Sequence, residues 1–214
     1  MNVLVDNAGL LFDAFLMTLR LLLVAGLLSL VWGTVLAAMR VGPIGVLNVA
    51  GSFYVTVFRN TPLLLILLLI FFGLPKLGIT WGYFWPNVIG LTLYTSSFVC
   101  EGLRSGVNSI PLGQAEASRS LGMTFSQSMQ AVILPQAFRA VVPPLASVLI
   151  ALTKNTSLVA IFGLADLTAR MKDLLTDHAS ALLWIFFGIA LAYVLIVEVI
   201  SLLATLIERR WRVA

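Results

Sequence analysis

The sequence predicts an all-α integral membrane protein, from its composition, its sparse charges and the absence of strand-like alternation. Of 214 residues, 60% are hydrophobic and only 10% are charged, and the mean hydropathy is +1.06. A soluble domain would carry about a quarter charged residues, so lipid is the expected solvent. The apolar runs lack the period-2 alternation of barrel strands, which leaves helices as the spanning elements because their backbone groups pair internally.

Long runs with few ionisable residues predict about five transmembrane helices, since about 20 residues cross a bilayer. We place the spans at about residues 10–39, 49–73, 87–104, 137–161 and 179–206. Residues 1–214 then form a single transmembrane domain, in which the only long connection is residues 105–136, between spans three and four.

Basic residues beside the spans predict the orientation of the chain in the membrane. Arg209, Arg210 and Arg212 follow the last span, which places the C-terminus in the cytoplasm. With five spans the N-terminus is outside, and the connection between spans three and four is cytoplasmic.

Several classes of function are excluded by what the sequence lacks. Cys100 and His178 are the only cysteine and histidine, so no metal site is expected. The chain has neither a GxxxxGK[ST] phosphate loop nor a Ser-His-Asp set, so we predict no catalytic residue and no enzyme. The basic residues form no stripe, and nucleic acid is not an expected partner.

The cytoplasmic connection predicts a short helix that ends at a glycine turn. Pro111 and Gly113 are expected to end the helix of span three, and residues 114–121 to form two helical turns. Gly122 suits the left-handed residue that closes a helix C-terminus.

A second short helix is expected to follow that turn. Thr124 and Gln127 have the spacing of a capping box, and the helix should end before Pro135. On the first helix, the spacing places Ala117, Leu121 and Phe125 on one stripe. Such a stripe suits either a shallow groove on a partner protein or the headgroup layer of the membrane.

This connection resembles the EAA loop of permease subunits in ATP-driven importers. The similar stretch is "EASRSLGMTFSQSMQAVILP", residues 116–135, in which Ser118 stands where the pattern has a second alanine. In that family the short helix is the coupling helix, which sits in a groove of the ATP-hydrolysing subunit. The resemblance assigns coupling to Gln114, Glu116, Ala117, Ser118, Leu121 and Gly122.

Further segments are similar to the polar amino acid subfamily of these permeases. They are "FRNTPLL" at 58–64, "EGLRSGV" at 101–107, "LPQAFR" at 134–139 and "ALTKNTSL" at 151–158. Asn60 replaces a glycine of the pattern and Asn155 replaces an aspartate. Together these variants look most like actinobacterial glutamate-type permeases, and the resemblance covers nearly the whole chain.

The resemblance also implies partners and a location. It implies a multi-pass protein of the bacterial inner or plasma membrane, with a dimer of ATP-binding subunits on the cytoplasmic side. A second permease subunit, either a homologous chain or a copy of this one, and an extracytoplasmic solute-binding protein complete the assembly. No cofactor is expected in this chain, because ATP and Mg belong to the ATP-binding partner.

Polar side chains within or near the spans predict a substrate pathway, because charges in a bilayer are costly and are kept for a reason. In the alternative explanation, Arg59 and Lys154 snorkel to the interface or pair with Glu101 and hold the bundle together. The predicted pathway residues are Arg59, Thr61, Glu101, Arg104, Lys154, Asn155, Thr156 and Ser157. Pro143 and Pro144 are expected to interrupt span four and to open irregular backbone toward that path.

The predicted solute is glutamate or a related acidic or amide amino acid. The loss of one negative charge at Asn155 favours an anion, while the Arg and Lys residues alone do not decide between solutes. The alternatives are an importer of the same class for a basic or opine-like amino acid, and a passive membrane anchor subunit.

Overall fold

The computed structural model describes residues 2–210, which form helices joined by short connections, with no strand among them. The predicted all-α fold class is therefore confirmed for this part of the chain. Arg212, which belongs to the predicted cytoplasmic tail, lies outside the described residues.

Ten α-helices follow one another within residues 2–210. They are α1 (Asn2–Asp6), α2 (Ala8–Val41), α3 (Gly45–Asn60), α4 (Leu63–Lys76), α5 (Phe84–Asn108), α6 (Leu112–Ser120), α7 (Phe125–Ser128), α8 (Leu134–Asn155), α9 (Leu167–Asp177) and α10 (Leu182–Arg210). A π turn, Met129–Ile133, joins α7 to α8, and 3-10 segments at Thr156–Phe162 and Ala179–Ala181 precede α9 and α10.

Three helical segments of the described chain are long and apolar enough to cross a membrane: residues 8–41, 125–162 and 179–210. The predicted second span is two helices, because α3 and α4 meet at 101° across Thr61 and Pro62. Counted together they make a fourth span.

α5 is 25 residues long but is not among these segments. It carries Glu101 and Arg104 and several hydroxyl side chains. The count of five spans stays a prediction.

The most central helix is α5, which packs against α2, α3, α4 and α8. Val88, Leu91 and Val99 on α5 are fully buried. The approach to α2 is close because Gly33 has no side chain: a Cβ there would lie 2.5 Å from Val99 Cγ1 and 2.8 Å from the Ser96 carbonyl oxygen. Backbone contact of this kind lets a polar helix be enclosed by apolar neighbours.

The three prolines of α8 lie inside the helix, so two expectations were wrong. Pro135 does not end the second short helix, since it lies in the first turn of α8. The turn before it is widened, with the Leu134 N–H donating to the Met129 carbonyl five residues back, which accommodates a residue without an N–H. Pro143 and Pro144 do not interrupt α8, which continues to Asn155.

An amphipathic helix that the sequence did not predict, α9, lies between α8 and α10. Asp166 begins it: its carboxylate accepts a hydrogen bond of 2.9 Å from the Ala169 N–H, which satisfies a free donor at the helix start. The Leu167 N–H donates to Thr18 Oγ1 on α2 at 3.2 Å. The segment is therefore fixed to the bundle at its first residues.

Substitution of Gly33 by alanine should destabilise the bundle by about 1–3 kcal/mol, because the added Cβ overlaps the α5 backbone. Gly9→Ala is the matched control on the same helix α2, since nothing lies within 4 Å of a Cβ there; it should be neutral or slightly stabilising. The measurement is the thermal unfolding of each purified variant in detergent. Equal effects of the two substitutions would contradict the close packing of α2 and α5.

Candidate functional site

One carboxylate holds three arginines where α2, α3 and α5 meet. Glu101 on α5 forms an ion pair with Arg40 at the end of α2, and its Oε1 lies 3.7 Å from Arg59 Nη1 at the end of α3. Its Oε2 lies 3.8 Å from Arg104 Nε, one turn further along α5. We call these four residues the ionic cluster. Three cations and one anion leave it a net charge of +2.

The ionic cluster agrees with part of the alternative explanation, in which the charged residues pair with Glu101 and hold the bundle together. Arg59 pairs with Glu101, as that alternative proposed, whereas Lys154 is exposed and has no ion pair within residues 2–210. Arg40 is the member of the cluster that the sequence analysis missed, because nothing in the local sequence sets it apart from other basic residues beside the spans. Its Nε also donates to Ser52 Oγ on α3 at 3.2 Å. Arg40 thus joins three helices through one guanidinium.

A cavity of about 330 Å³ lies between α5 and α8. Its lining is aromatic and polar on one side: Tyr94, Thr95 and Phe98 on α5, with Asn155 at the end of α8. The Thr95 hydroxyl is buried and has no hydrogen-bond partner among the described residues. A buried hydroxyl without a partner is uncommon and indicates a site that water or a ligand completes. We call this space the α5–α8 cavity.

The α5–α8 cavity and the ionic cluster share a wall. The Arg59 guanidinium carbon lies 5.5 Å from the centroid of the Phe98 ring, a distance at which the ring face attracts a cation. The Phe98 ring therefore lies between the α5–α8 cavity and the positively charged Arg59 of the ionic cluster. An anionic group in the cavity would be attracted to that charge.

The remaining predicted pathway residues are not all brought together. The hydroxyls of Thr61, Thr156 and Ser157 donate within their own segments, to the carbonyls of Val57, Thr153 and Lys154 at 2.8, 2.6 and 2.7 Å respectively. Thr156 is fully buried, and Ser157 lines a different cavity beside α9. Of the eight predicted residues, Arg59, Glu101 and Arg104 belong to the ionic cluster and Asn155 lines the α5–α8 cavity.

The helix and turn predicted between α5 and α8 are present. Gly122 has a φ of 77°, and the Met123 N–H donates to the Ser118 carbonyl at 3.2 Å while the Gly122 N–H donates to the Arg119 carbonyl at 2.9 Å. This is the paired closure of a left-handed helix end. Thr124 and Gln127 form the predicted capping box.

Two details of that segment were predicted wrongly. Gly113 does not precede the short helix, because α6 begins at Leu112. Ala117, Leu121 and Phe125 do not share one helical stripe, since α6 ends at Ser120 and the left-handed turn redirects the chain before α7. Local spacing alone could not reveal a change of direction.

The outer surface of α6 nevertheless offers apolar and charged groups for contact. Glu116 and Ala117 are exposed, and Leu121 has 82% of its surface exposed. A cavity of about 480 Å³ lies beside them, between α6, the end of α5 and α7, and Arg119 and Phe125 are among its lining residues. The segment therefore has the exposed features of a docking element.

A buried carboxylic acid lies at the start of α9. Asp166 is fully buried, and its Oδ2 accepts a hydrogen bond from the Tyr193 hydroxyl on α10 at 3.1 Å. Burial raises the pKa of Asp166 above its usual value, although the hydrogen bonds from Ala169 and Tyr193 act in the opposite direction. Asp166 therefore joins α9 to α10 at the cost of removing a carboxyl group from water.

Comparisons with known proteins cover both the ionic cluster and the cavity. A family model described as the inner membrane component of binding-protein-dependent transport systems matches residues 16–213. A glutamate transport system permease protein of Corynebacterium efficiens is 40% identical over 198 residues, 87% of each chain. An arginine transport system permease protein of Bacillus subtilis is 36% identical over 159 residues, 74% of this chain and 73% of that one.

A solved structure has nearly the same fold along its full length. The crystal structure of an amino acid ABC transporter with histidines matches with a TM-score of 0.88 and 34% identity, and the match covers 97% of this chain and 96% of that one. The helix order described above is therefore that of a known transporter chain.

The buried state of Asp166 predicts a dependence of stability on pH. Because its pKa is raised in the folded state, its contribution to the unfolding free energy is greatest below the usual aspartate pKa of about 4 and falls as the pH rises through the raised value. Asp166→Asn keeps an oxygen for the Ala169 N–H and has no charge. Its melting temperature should exceed that of the unmodified protein at pH 8, and the two should converge toward pH 4.

Asp177→Asn, at an exposed position of the same helix, is the control for loss of one negative charge. The melting temperatures of the unmodified protein, Asp166→Asn and Asp177→Asn are measured by thermal unfolding from pH 4 to pH 8. If the unmodified protein gained stability over Asp166→Asn as the pH rose, the buried charge would be stabilising and the assignment would be wrong.

Proposed function

Because the chain belongs to the inner membrane components of binding-protein-dependent transport systems, we propose that it is the permease subunit of an ATP-driven importer of a polar amino acid. The family is a transport family and not an enzyme family. The observation that carries the proposal is the α5–α8 cavity, where the unpartnered Thr95 hydroxyl and Asn155 lie beside a cluster with excess positive charge. The passive anchor is disfavoured, because an anchor needs no buried polar cavity.

The proposed assembly has four kinds of component. An extracytoplasmic solute-binding protein delivers the amino acid, and a second permease subunit, homologous or identical to this one, completes the pathway. A dimer of ATP-binding subunits hydrolyses ATP with Mg on the cytoplasmic side. Nucleotide and Mg are assigned to those subunits, because this sequence has no GxxxxGK[ST] phosphate loop.

The proposed orientation places α6 in the cytoplasm and the N-terminus outside. Arg209 and Arg210 at the end of α10 favour a cytoplasmic C-terminus. α6 then faces the ATP-binding dimer, and Gln114, Glu116, Ala117, Ser118, Leu121 and Gly122 form the coupling element. The exposure of Glu116, Ala117 and Leu121 supports this role, whereas Ser118 is buried against α7 and does not reach the outer surface of α6.

The proposed solute is an acidic amino acid such as glutamate. Glu101 is already surrounded by three arginines, so it is not free to receive the cationic side chain of a basic amino acid. The charge of +2 that remains favours an anion in the α5–α8 cavity, and Asn155 and Thr95 offer neutral hydrogen-bonding groups to it. The glutamate permease relative supports this solute, while the arginine permease relative shows that overall identity does not settle it.

Asn155→Asp should lower the ratio of glutamate to arginine uptake by about fivefold to tenfold, because a carboxylate in the cavity repels an anion and attracts a cation. The measurement is uptake of labelled glutamate, aspartate, glutamine and arginine by the assembled complex in vesicles. Gln130→Glu, at an exposed position outside the cavity and the ionic cluster, is the control for an added carboxylate and should leave the ratio unchanged. Faster arginine than glutamate uptake by the unmodified complex would reject the acidic solute.

Glu116→Lys should lower transport about tenfold through weaker coupling to the ATP-binding subunits, since it reverses a charge on the exposed surface of α6. Glu208→Lys near the end of α10 is the control. Transport, ATP hydrolysis and co-purification of the ATP-binding subunits are measured together. Normal transport by Glu116→Lys, or labelling of a cysteine at Arg119 from outside the cell, would overturn the coupling assignment.

A further inference from the structure

Two buried hydroxyls connect α6 to α7. Ser118 Oγ and Ser128 Oγ lie 2.8 Å apart and share a hydrogen bond. Only 3% of Ser118 and 6% of Ser128 is exposed, so neither hydroxyl has ready access to water. Ser118 is the hydrogen-bond partner of the Ser128 hydroxyl among the described residues, and a buried hydroxyl needs such a partner.

Ser118 also closes the turn that follows α6. Its carbonyl accepts the Met123 N–H at 3.2 Å, and its hydroxyl lies 2.9 Å from the Ala115 carbonyl within α6. The backbone and the side chain of one residue therefore fix both the closing turn and the contact with α7. An alanine at this position would keep the turn and lose the contact.

A second contact links the other end of α6 to α8. The Gln136 side-chain N–H lies 3.4 Å from Gln114 Oε1 on α6, and the same amide donates to the Val132 carbonyl at 2.8 Å. Ser128 is the last residue before the π turn, and Gln136 is the third residue of α8 after it. The two contacts of α6 thus lie on either side of the π turn.

We propose that Ser118 is a positioning residue that makes α6, α7 and α8 move as one body. Ser118 holds α6 to α7 through Ser128, and the Gln114–Gln136 contact holds α6 to α8. α6 therefore bridges the π turn, and a displacement of α6 is transmitted to the α8 residues that line the α5–α8 cavity. The proposal rests on the proposed function, in which the ATP-binding partner displaces α6.

The first test compares three serine-to-alanine variants in the assembled complex in vesicles. Ser118→Ala and Ser128→Ala should each lower the amount of amino acid transported per ATP hydrolysed by about fivefold, the effect of losing about 1 kcal/mol of hydrogen bonding. The double variant should lose no more than either single one. Ser120→Ala is the matched control, because the Ser120 hydroxyl bonds only the Glu116 carbonyl of its own helix and should leave the ratio unchanged.

The second test uses a reversible crosslink in one protein, Ser118→Cys with Ser128→Cys. Hydroxyl oxygens 2.8 Å apart are close enough for the two sulfurs to bond after a small adjustment. The oxidised form should transport with a normal ratio, and reduction should lower the ratio about fivefold. If oxidation instead abolishes transport, α6 must move relative to α7 and the rigid-body proposal fails.

The outcomes separate this proposal from the proposed function. If ATP hydrolysis by the unmodified complex does not respond to solute and binding protein, the importer assignment fails. If ATP hydrolysis does respond, and Ser118→Ala transports as much amino acid per ATP as Ser120→Ala, the importer assignment is kept and the positioning role of Ser118 is rejected. Should Ser118→Ala fail to assemble, the oxidised and reduced states of the cysteine pair decide the question within one folded protein.

Discussion

The enclosure of a polar helix by apolar ones is the constraint on which the rest of the structure depends. α5 carries a carboxylate, an arginine and several hydroxyls, yet its neighbours α2, α3, α4 and α8 surround it. Buried polar groups are tolerated only when they are paired or when they line a cavity. α5 shows both solutions, because Glu101 is paired with arginines and Thr95 faces the α5–α8 cavity.

Pairing at Glu101 explains why the ends of two helices converge on α5. Arg40 lies in the last turn of α2 and Arg59 in the last turn of α3, so their cations reach the carboxylate from separate helices. A second constraint comes from Gly33, whose missing side chain lets α2 approach the α5 backbone. The close contact at Gly33 and the Arg40–Glu101 ion pair lie at different positions along α2 and α5. Together they leave little freedom in how α2 and α5 cross.

The sequence could predict the features that depend on neighbouring residues. The closing glycine at 122, the capping box at Thr124 and the membrane class all follow from local chemistry or composition. The 101° bend between α3 and α4, the choice of Arg40 as partner of Glu101 and the position of α9 depend on residues far apart in the chain. The π turn also escaped prediction, because a proline signals a missing N–H but does not say whether the helix ends or widens.

α8 has irregular helical geometry at both ends, and the two ends differ in how they are supported. At the cytoplasmic end in the proposed orientation, α6 spans the π turn through the contacts of Ser118 and Gln114. At the other end, Thr156–Phe162 is a 3-10 segment directly after Asn155, and 3-10 hydrogen bonds are weaker than those of an α-helix. If the two contacts of α6 stiffen α8 near the π turn, bending of α8 relative to the bundle is expected at its other end, near Asn155. That end borders the α5–α8 cavity through Asn155.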